Sequence, residues 1–337
     1  MTSLNETCRI VDNFRGKRIA VIGDLMLDVY LWGAVTRISP EAPVPVINIR
    51  RRSCCLGGAG NVMRNLASLG ARVCGFGVVG DDDAGREINE LLGADGIDAE
   101  GILHDPARRT TEKRRIVAGS QQLLREDFED IFPLESTLRT ALVEAMIDRI
   151  AKNEFDAVIF EDYAKGVLSK EMLEAVIAAA GERLVTALDP KPGGVAPVKG
   201  LTVIKPNRGE AFAMGDVRDT HPGAHPADDP GLARAAGRLF RLWNPRQLLI
   251  SLAAQGMALY DDASGPAKLI PTRAREVYDV SGAGDTVTAA YTLALVSGAP
   301  PLQAAEIANR AAGVVVGKMG TVPIEAEELK QAILEND

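Results

Sequence analysis

The sequence predicts an α/β fold with a mostly parallel central sheet and helices on both faces. Short apolar runs alternate with longer segments of helical apolar spacing, the βαβα order that builds such a sheet. Glycine is abundant, at 33 residues, and aromatics make up only 4%. That balance suits many tight strand-to-helix turns better than an all-β sandwich.

Residues 17–23 (KRIAVIG) form a short apolar run ending at glycine, read as a buried strand of a parallel sheet. Residues 58–69 have helical spacing, with Val62, Leu66 and Leu69 on one face. A strand follows at 72–79 and a helix at 83–92. Further strands are expected at 157–160, 184–188, 201–204 and 248–252, with helices near 134–151, 170–180 and 232–242. Two stretches break the alternation. Residues 30–51 include the proline-rich piece SPEAPVPVINIR, and 110–128 hold two β-like runs around Ala118-Gly119-Ser120. They are read as strands of a small separate sheet projecting from the main body, inserted at about 30–52 and 110–128 of a single domain spanning 1–337. Ordinary surface loops are the alternative. Residues 216–230, rich in Asp, Pro, Gly and His, read as a loop.

Bulk properties narrow the function. A chain of 337 residues that is 46% apolar and 25% charged can bury a sizeable core. A net charge of −8 argues against a nucleic-acid role, since only 50–52 and 113–115 are basic clusters and both are short. The four cysteines lack C-x-x-C spacing, and the three histidines do not join them in a zinc pattern. They read as reduced thiols of a cytoplasmic protein. The N-terminal residues show no apolar signal region, and no run approaches the ~18 apolar residues of a membrane span.

The sharpest local signal is DVSGAGDT at 279–286, followed by an apolar helical run at 287–296. Small residues at a helix start leave backbone N–H groups free and let an anion approach, and the helix dipole favours negative charge there. Gly282, Ala283 and Gly284 would thus cradle a transferring phosphoryl group. Asp285 beside it could take a proton from a hydroxyl nucleophile. A glycine-rich turn with Asp285 as a first-turn cap would read the same way. The chain lacks G-x-x-x-x-G-K-[ST] and carries no G-x-G-x-x-G after the first strand, which argues against a P-loop protein and a nicotinamide dehydrogenase.

The D-x-x-G-A-G-D segment at 279–285 resembles the second signature of the ribokinase-type carbohydrate kinases. Gly57-Gly58-Ala59-Gly60-Asn61 resembles the first. The likeness runs from about residue 17 to about 330. Within that family, GDLMLDVYLWGAVTRISPEAPVPVINI (23–49), QQLLREDFE (121–129), EDYAKGVLS (161–169), SLAAQGM (251–257) and ANRAAGVVVGKMGT (308–321) resemble the bacterial heptose 7-phosphate kinases of ADP-heptose and lipopolysaccharide-core synthesis. A nucleotidyltransferase H-x-G-H motif is missing, so the stand-alone kinase form is expected.

The resemblance implies a ribokinase-like three-layer αβα fold with a β-sheet lid. It also implies ATP and Mg²⁺ as cofactors, and phosphorylation of the anomeric C1 hydroxyl of D-glycero-D-manno-heptose 7-phosphate to the 1,7-bisphosphate, with Asp285 as base. Asp28, past the first strand, would accept hydrogen bonds from sugar hydroxyls, although a turn cap would look alike. Gly57, Gly58 and Asn61 would let the sugar approach the backbone. Lys113, Arg114, Arg115 and Arg125 are cationic candidates for the distal phosphate, and their alternation means that only one or two can face the pocket. Gln122 is a weaker polar candidate. Asp162 and Lys165 would line the same cleft, or form a surface ion pair. Asn207 and Glu210 match an N-x-x-E motif and would hold Mg²⁺ through water. A helix capping box would be indistinguishable. Lys191 and Lys205 are possible phosphate contacts, while Ser251, Gly256 and Asn309 would border the nucleotide.

Alternatives stay open: a kinase of the same family for another sugar, sugar phosphate or nucleoside, or a non-catalytic sugar binder on this fold. The apolar residues Val44, Val46, Ile47, Ile49, Ile116 and Val117 of the lid segments predict a homodimer in which the lids pair. The expected partners are thus the sugar phosphate, ATP and a second copy.

Overall fold

The apolar run at the start of the chain becomes the middle of a large sheet. The computed structural model describes residues 2–335 except 120, 222, 262–264, 274–276 and 319. In chain order it contains α1 (Thr2–Asp12), β1 (Arg18–Gly23), β2 (Leu25–Ile38), β3 (Pro45–Gly58), α2 (Ala59–Ser68), β4 (Arg72–Gly80), α3 (Asp83–Ala94), β5 (Asp98–Asp105), β6 (Thr111–Ala118), β7 (Gln121–Phe128), α4 (Ser136–Ala151), β8 (Ala157–Glu161), α5 (Lys170–Ala180) and β9 (Val185–Asp189). There follow β10 (Val203–Ile204), α6 (Arg208–Met214), α7 (Pro230–Trp243), β11 (Gln247–Ser251), β12 (Met257–Tyr260), β13 (Lys268–Ile270), α8 (Ala283–Val296), α9 (Pro301–Val315) and α10 (Ala326–Leu334).

The large sheet has the order β13-β12-β11-β10-β9-β8-β1-β4-β5. β12 pairs antiparallel on both sides, and the other neighbours are parallel. Side chains of β1 alternate between two cores, as strand geometry requires. Ile19 and Val21 join α1, α2, α3, α8, α9 and α10 on one face. Ala20 and Ile22 join α4, α5, α6 and α7 on the other. The result is three layers. Residues 19–23 are all buried, which is why this strand reads as a continuous apolar run.

The smaller sheet has the order β3-β2-β6-β7. Leu27 and Val29 of β2 are buried in the core, while Asp28 and Tyr30 alternate onto the opposite face. Arg52 on β3 pairs with Glu87 on α3 at 2.6 Å and ties the lid to the body.

Two sequence-based expectations need correction. The first lid segment is longer than 30–52, because β2 starts at Leu25 and β3 runs back to Gly58. β6 is an interior strand of the lid, and Val117 is 7% exposed, so Val117 is not an open edge for pairing. The 216–230 stretch is a loop with one short 3₁₀ turn at Pro226–Asp228. Ion pairs from Arg208 to Asp219 (2.8 Å) and Asp229 (2.5 Å) hold it. Ser120, at the expected β6–β7 turn, and residue 222 lie outside the described residues.

Candidate active site

Parallel strands deliver their last residues to one edge of the sheet, where α/β proteins bind ligands. Here β1, β8, β9 and β10 bring Asp24, Glu161, Asp189 and Lys205 to that edge. The N-termini of α6 and α8 face it across a cavity of about 270 Å³. Lys191, Lys205, Asn207, Glu210, Ser251, Gly282, Gly284 and Asp285, all singled out from the sequence, line this cavity together with Tyr163 and Asp189.

Gly282 caps α8 at φ +78°, a left-handed conformation that favours glycine. A Cβ there would lie 2.7 Å from Asn61 Nδ2. Ala283 N–H turns back to Val280 O at 3.3 Å, so Ala283 does not offer its amide as the sequence reading expects. Helix geometry leaves the N–H groups of Gly284 and Asp285 without an intrahelical acceptor.

Asp285 is 7% exposed. Asn61 Nδ2 donates to its Oδ2 at 2.6 Å, and the Tyr163 hydroxyl donates to its Oδ1 at 2.7 Å. Burial raises its carboxyl to a pKa of about 6, against the pull of these two donors, and Asp189 adds to the rise. Asn61 is itself held, because Asn65 Nδ2 donates to its backbone oxygen at 2.9 Å.

Lys205 is buried and pairs with Asp189 at 2.9 Å. Burial works against its ammonium, but Asp189 keeps its pKa above the usual value. A Cβ on Gly284 would lie 3.6 Å from Lys205 Nζ, so the cation sits beside the mouth of α8. Burial, then Asp189 and Asp285, push the Glu161 carboxyl well up. Both Glu161 oxygens and Asp189 Oδ1 are buried without a hydrogen-bond partner. Glu161, Asp189 and Asp285 offer oxygens within 4.8 Å of one another.

Asn207 and Glu210 form the capping box of α6. Asn207 Oδ1 accepts from Glu210 N at 2.9 Å, and Glu210 Oε2 accepts from Asn207 N at 2.7 Å. Glu210 Oε1 accepts from Lys191 Nζ at 2.5 Å. The helix-capping and cavity-lining readings of this motif therefore coexist.

On the lid side, Asp28 lies against the glycine pair, and a Cβ on Gly57 would be 2.7 Å from its Oδ2. Gly58 has φ +57° and packs on Asp24 O. Arg115 Nη1 pairs with Asp28 Oδ1 at 2.5 Å, and its guanidinium lies over the Tyr30 ring. Lys113 pairs instead with Asp127 (3.1 Å) and Glu129 (3.6 Å). Arg125 pairs with Asp127 on its own strand at 2.7 Å, and Gln122 is exposed. Lys165 pairs with Glu129 at 2.7 Å.

Three other expected residues fall outside the main cavity. Asp162 accepts from Ala164 N (2.8 Å) and Val195 N (2.6 Å) and packs on Gly194. Its carboxylate shapes the loop after β8, and Tyr163 is the residue of that loop which lines the cavity. Gly256 has φ +87° in the turn into β12. Asn309 Nδ2 donates to Pro271 O at 2.7 Å, holding the segment after β13.

The sequence reading misses Tyr163, Glu161, Asp189 and Asp24. The acidic residues at the ends of apolar strand runs were the available signal, and the pairing of β1 with β8 is what brings them together.

Residues 17–327 match the model of the pfkB family carbohydrate kinases. The chain is 41% identical over 326 residues to "Bifunctional protein HldE" of Desulfatibacillum aliphaticivorans, covering 95% of this chain and 64% of that protein. It is 45% identical over 323 residues to the protein of the same name from Caulobacter vibrioides, covering 94% and 63%. It thus spans somewhat less than two thirds of the length of these relatives. Among solved structures, phosphofructokinase-2 from Escherichia coli in complex with potassium superposes with a TM-score of 0.73 at 18% identity, covering 95% of this chain and 99% of that one. Arabidopsis thaliana ribokinase complexed with ribose and ATP gives 0.69 at 18% identity, covering 94% and 99%. At these identities the likeness shows a shared ribokinase-like fold.

Proposed function

The chain belongs to the pfkB family of carbohydrate kinases and is an ATP-dependent sugar kinase, and from that premise we propose that its acceptor is the anomeric C1 hydroxyl of D-glycero-D-manno-heptose 7-phosphate. The product is the 1,7-bisphosphate. The observation that carries the catalytic part is Asp285, buried at the mouth of α8 with its carboxyl raised to about 6. The substrate part rests on the HldE relatives and on Arg115, a phosphate-pairing side chain beside Asp28 on the lid face.

In the reaction, Asp285 takes the proton of the C1 hydroxyl. That oxygen bonds to the γ-phosphorus, the bond to the β,γ-bridging oxygen breaks, and ADP leaves with the electron pair. The Gly284 and Asp285 amides and the Lys205 ammonium stabilise the phosphoryl group in transit. Asp28 orients the sugar and Arg115 meets the distal phosphate, leaving Asp28 for it.

The residues present fit a divalent cation: the partnerless oxygens of Glu161 and Asp189 are hard donors of the kind Mg²⁺ takes. Glu210 would reach the ion through water, since its own oxygens already accept from Asn207 N and Lys191. When bound, Mg²⁺ neutralises charge on the β- and γ-phosphates.

The reading includes a cytoplasmic enzyme and a homodimer joined at the lid, where Val35, Ile38, Val44 and Ile49 are exposed. The test is a coupled ADP-release screen over sugars and sugar phosphates. Heptose 7-phosphate should give the highest kcat/KM. Preference for ribose, fructose 6-phosphate or a nucleoside would replace the substrate assignment and leave the kinase in place.

A further inference from the structure

Both oxygens of Asp285 already accept hydrogen bonds, yet a base must present one of them to the substrate. The two donors differ in what holds them. Asn61, at the start of α2, follows the Gly57–Gly58 pair that the proposed sugar would approach, so a sugar hydroxyl would compete for its amide. Tyr163 reaches the other carboxylate oxygen from a loop.

Its loop is pinned from several sides. Asp24, 1% exposed, accepts from the backbone N–H groups of Tyr163 (2.8 Å), Lys165 (3.1 Å) and Val167 (3.2 Å). The Asp162 carboxylate fixes Ala164 at φ 57°. Arg108 donates to Lys165 O at 3.0 Å, and Gly166 packs so closely on Phe132 that a Cβ would lie 2.3 Å from its backbone oxygen. The Tyr163 ring lies under Lys191 Nζ at 5.1 Å, between the catalytic carboxylate and the Lys191–Glu210 pair.

We propose that Tyr163 is the positioning residue of the catalytic carboxylate. Its hydroxyl anchors Oδ1 of Asp285, so that Oδ2, released by Asn61 when sugar binds, is the oxygen that takes the proton. A rigid donor on one oxygen fixes the carboxylate plane, and a base displaced by about 1 Å can lose around 100-fold in rate. This inference rests on Asp285 being the base.

The test is a double-mutant cycle of Tyr163→Phe and Asp285→Asn, with kcat and both KM values measured on variants whose melting temperatures show them folded. Tyr163→Phe should lower kcat about 10- to 100-fold, the scale of one hydrogen bond to a charged group, with both KM values within about twofold of the wild type. In the Asp285→Asn background the same change should have almost no further effect, because the group it positions is gone. As a second variant, Asp24→Asn should give the same pattern, lower kcat at constant KM. Multiplicative losses in the cycle, or wild-type kcat in Tyr163→Phe beside a crippled Asp285→Asn, overturn the positioning role and leave the base in place. Wild-type turnover in Asp285→Asn removes both readings together.

Discussion

Lys205 Nζ lies 2.9 Å from Asp189 Oδ2, with both side chains 5% exposed. Breaking such a buried pair leaves an uncompensated charge, which costs about 3–5 kcal/mol. Lys205→Ala should therefore lower the unfolding free energy of the ligand-free protein, read from urea denaturation, by an amount in that range. Lys205→Met with Asp189→Asn should recover most of the stability while turnover stays low. Recovery of turnover as well would show that the ammonium does not act on phosphate.

Asp285→Asn removes the proposed base but keeps the volume. Turnover should fall by two to four orders of magnitude, about the size of a general-base effect. KM for ATP should stay near the wild-type value. A folded variant with near wild-type turnover would sink the assignment.

In the proposed reaction the raised carboxyl of Asp285 sets the pH dependence. Only its ionised form accepts the proton, so kcat should fall as pH drops through about 6, approaching tenfold per unit, and level off above. The groups facing it are Asn61, Tyr163, Glu161, Asp189 and Lys205. The check is kcat at saturating substrates from pH 5 to 8. In Asp285→Asn the acid limb should vanish, which separates it from titration of the substrate's own phosphate.

Arg115→Met keeps the stem and removes the fork that pairs with Asp28. KM for the phosphorylated sugar should rise about 10- to 100-fold, the loss of a charged hydrogen bond, with KM for ATP unchanged. Equal activity on a non-phosphorylated sugar in variant and wild type is the matched control. An unchanged KM for the sugar phosphate would mean that Arg115 serves only Asp28.

The two glycines at the mouth of α8 should behave differently. Gly282→Ala meets both a positive φ and Asn61 at 2.7 Å, so it should cost about 1–3 kcal/mol of stability and also lower kcat. Gly284→Ala meets only ordinary contact, 3.6 Å from Lys205 Nζ. It should melt like the wild type and raise KM for ATP. Thermal melts beside steady-state kinetics would distinguish the two.

The order of elements was legible because its causes are local. Apolar runs at 17–23, 157–160 and 248–252 can satisfy strand geometry only when covered on both faces, and the glycine-led helix at 282–284 carries its own turn chemistry. The short elements were less legible. β5 and β13 carry charged residues, and β12 has only four residues. Their pairing partners, rather than their own pattern, make them strands. The lid cations show the limit most plainly. Lys113 and Arg115 sit two apart on one strand and look equivalent in sequence, yet one faces Asp127 and Glu129 and the other Asp28.

Alone, the sequence determined the layered architecture, the glycine-rich helix start and the carboxylate next to it, since each depends on residues within a turn or two. Only the tertiary structure decided which groups share the cavity. Tyr163, Asn61 and Asp285 are separated by 122 and 224 positions, and their contact follows from the parallel pairing of β1 with β8 and the packing of α2 against α8. Hydrogen bonds between side chains depend on that registry, which residue spacing along the chain does not encode.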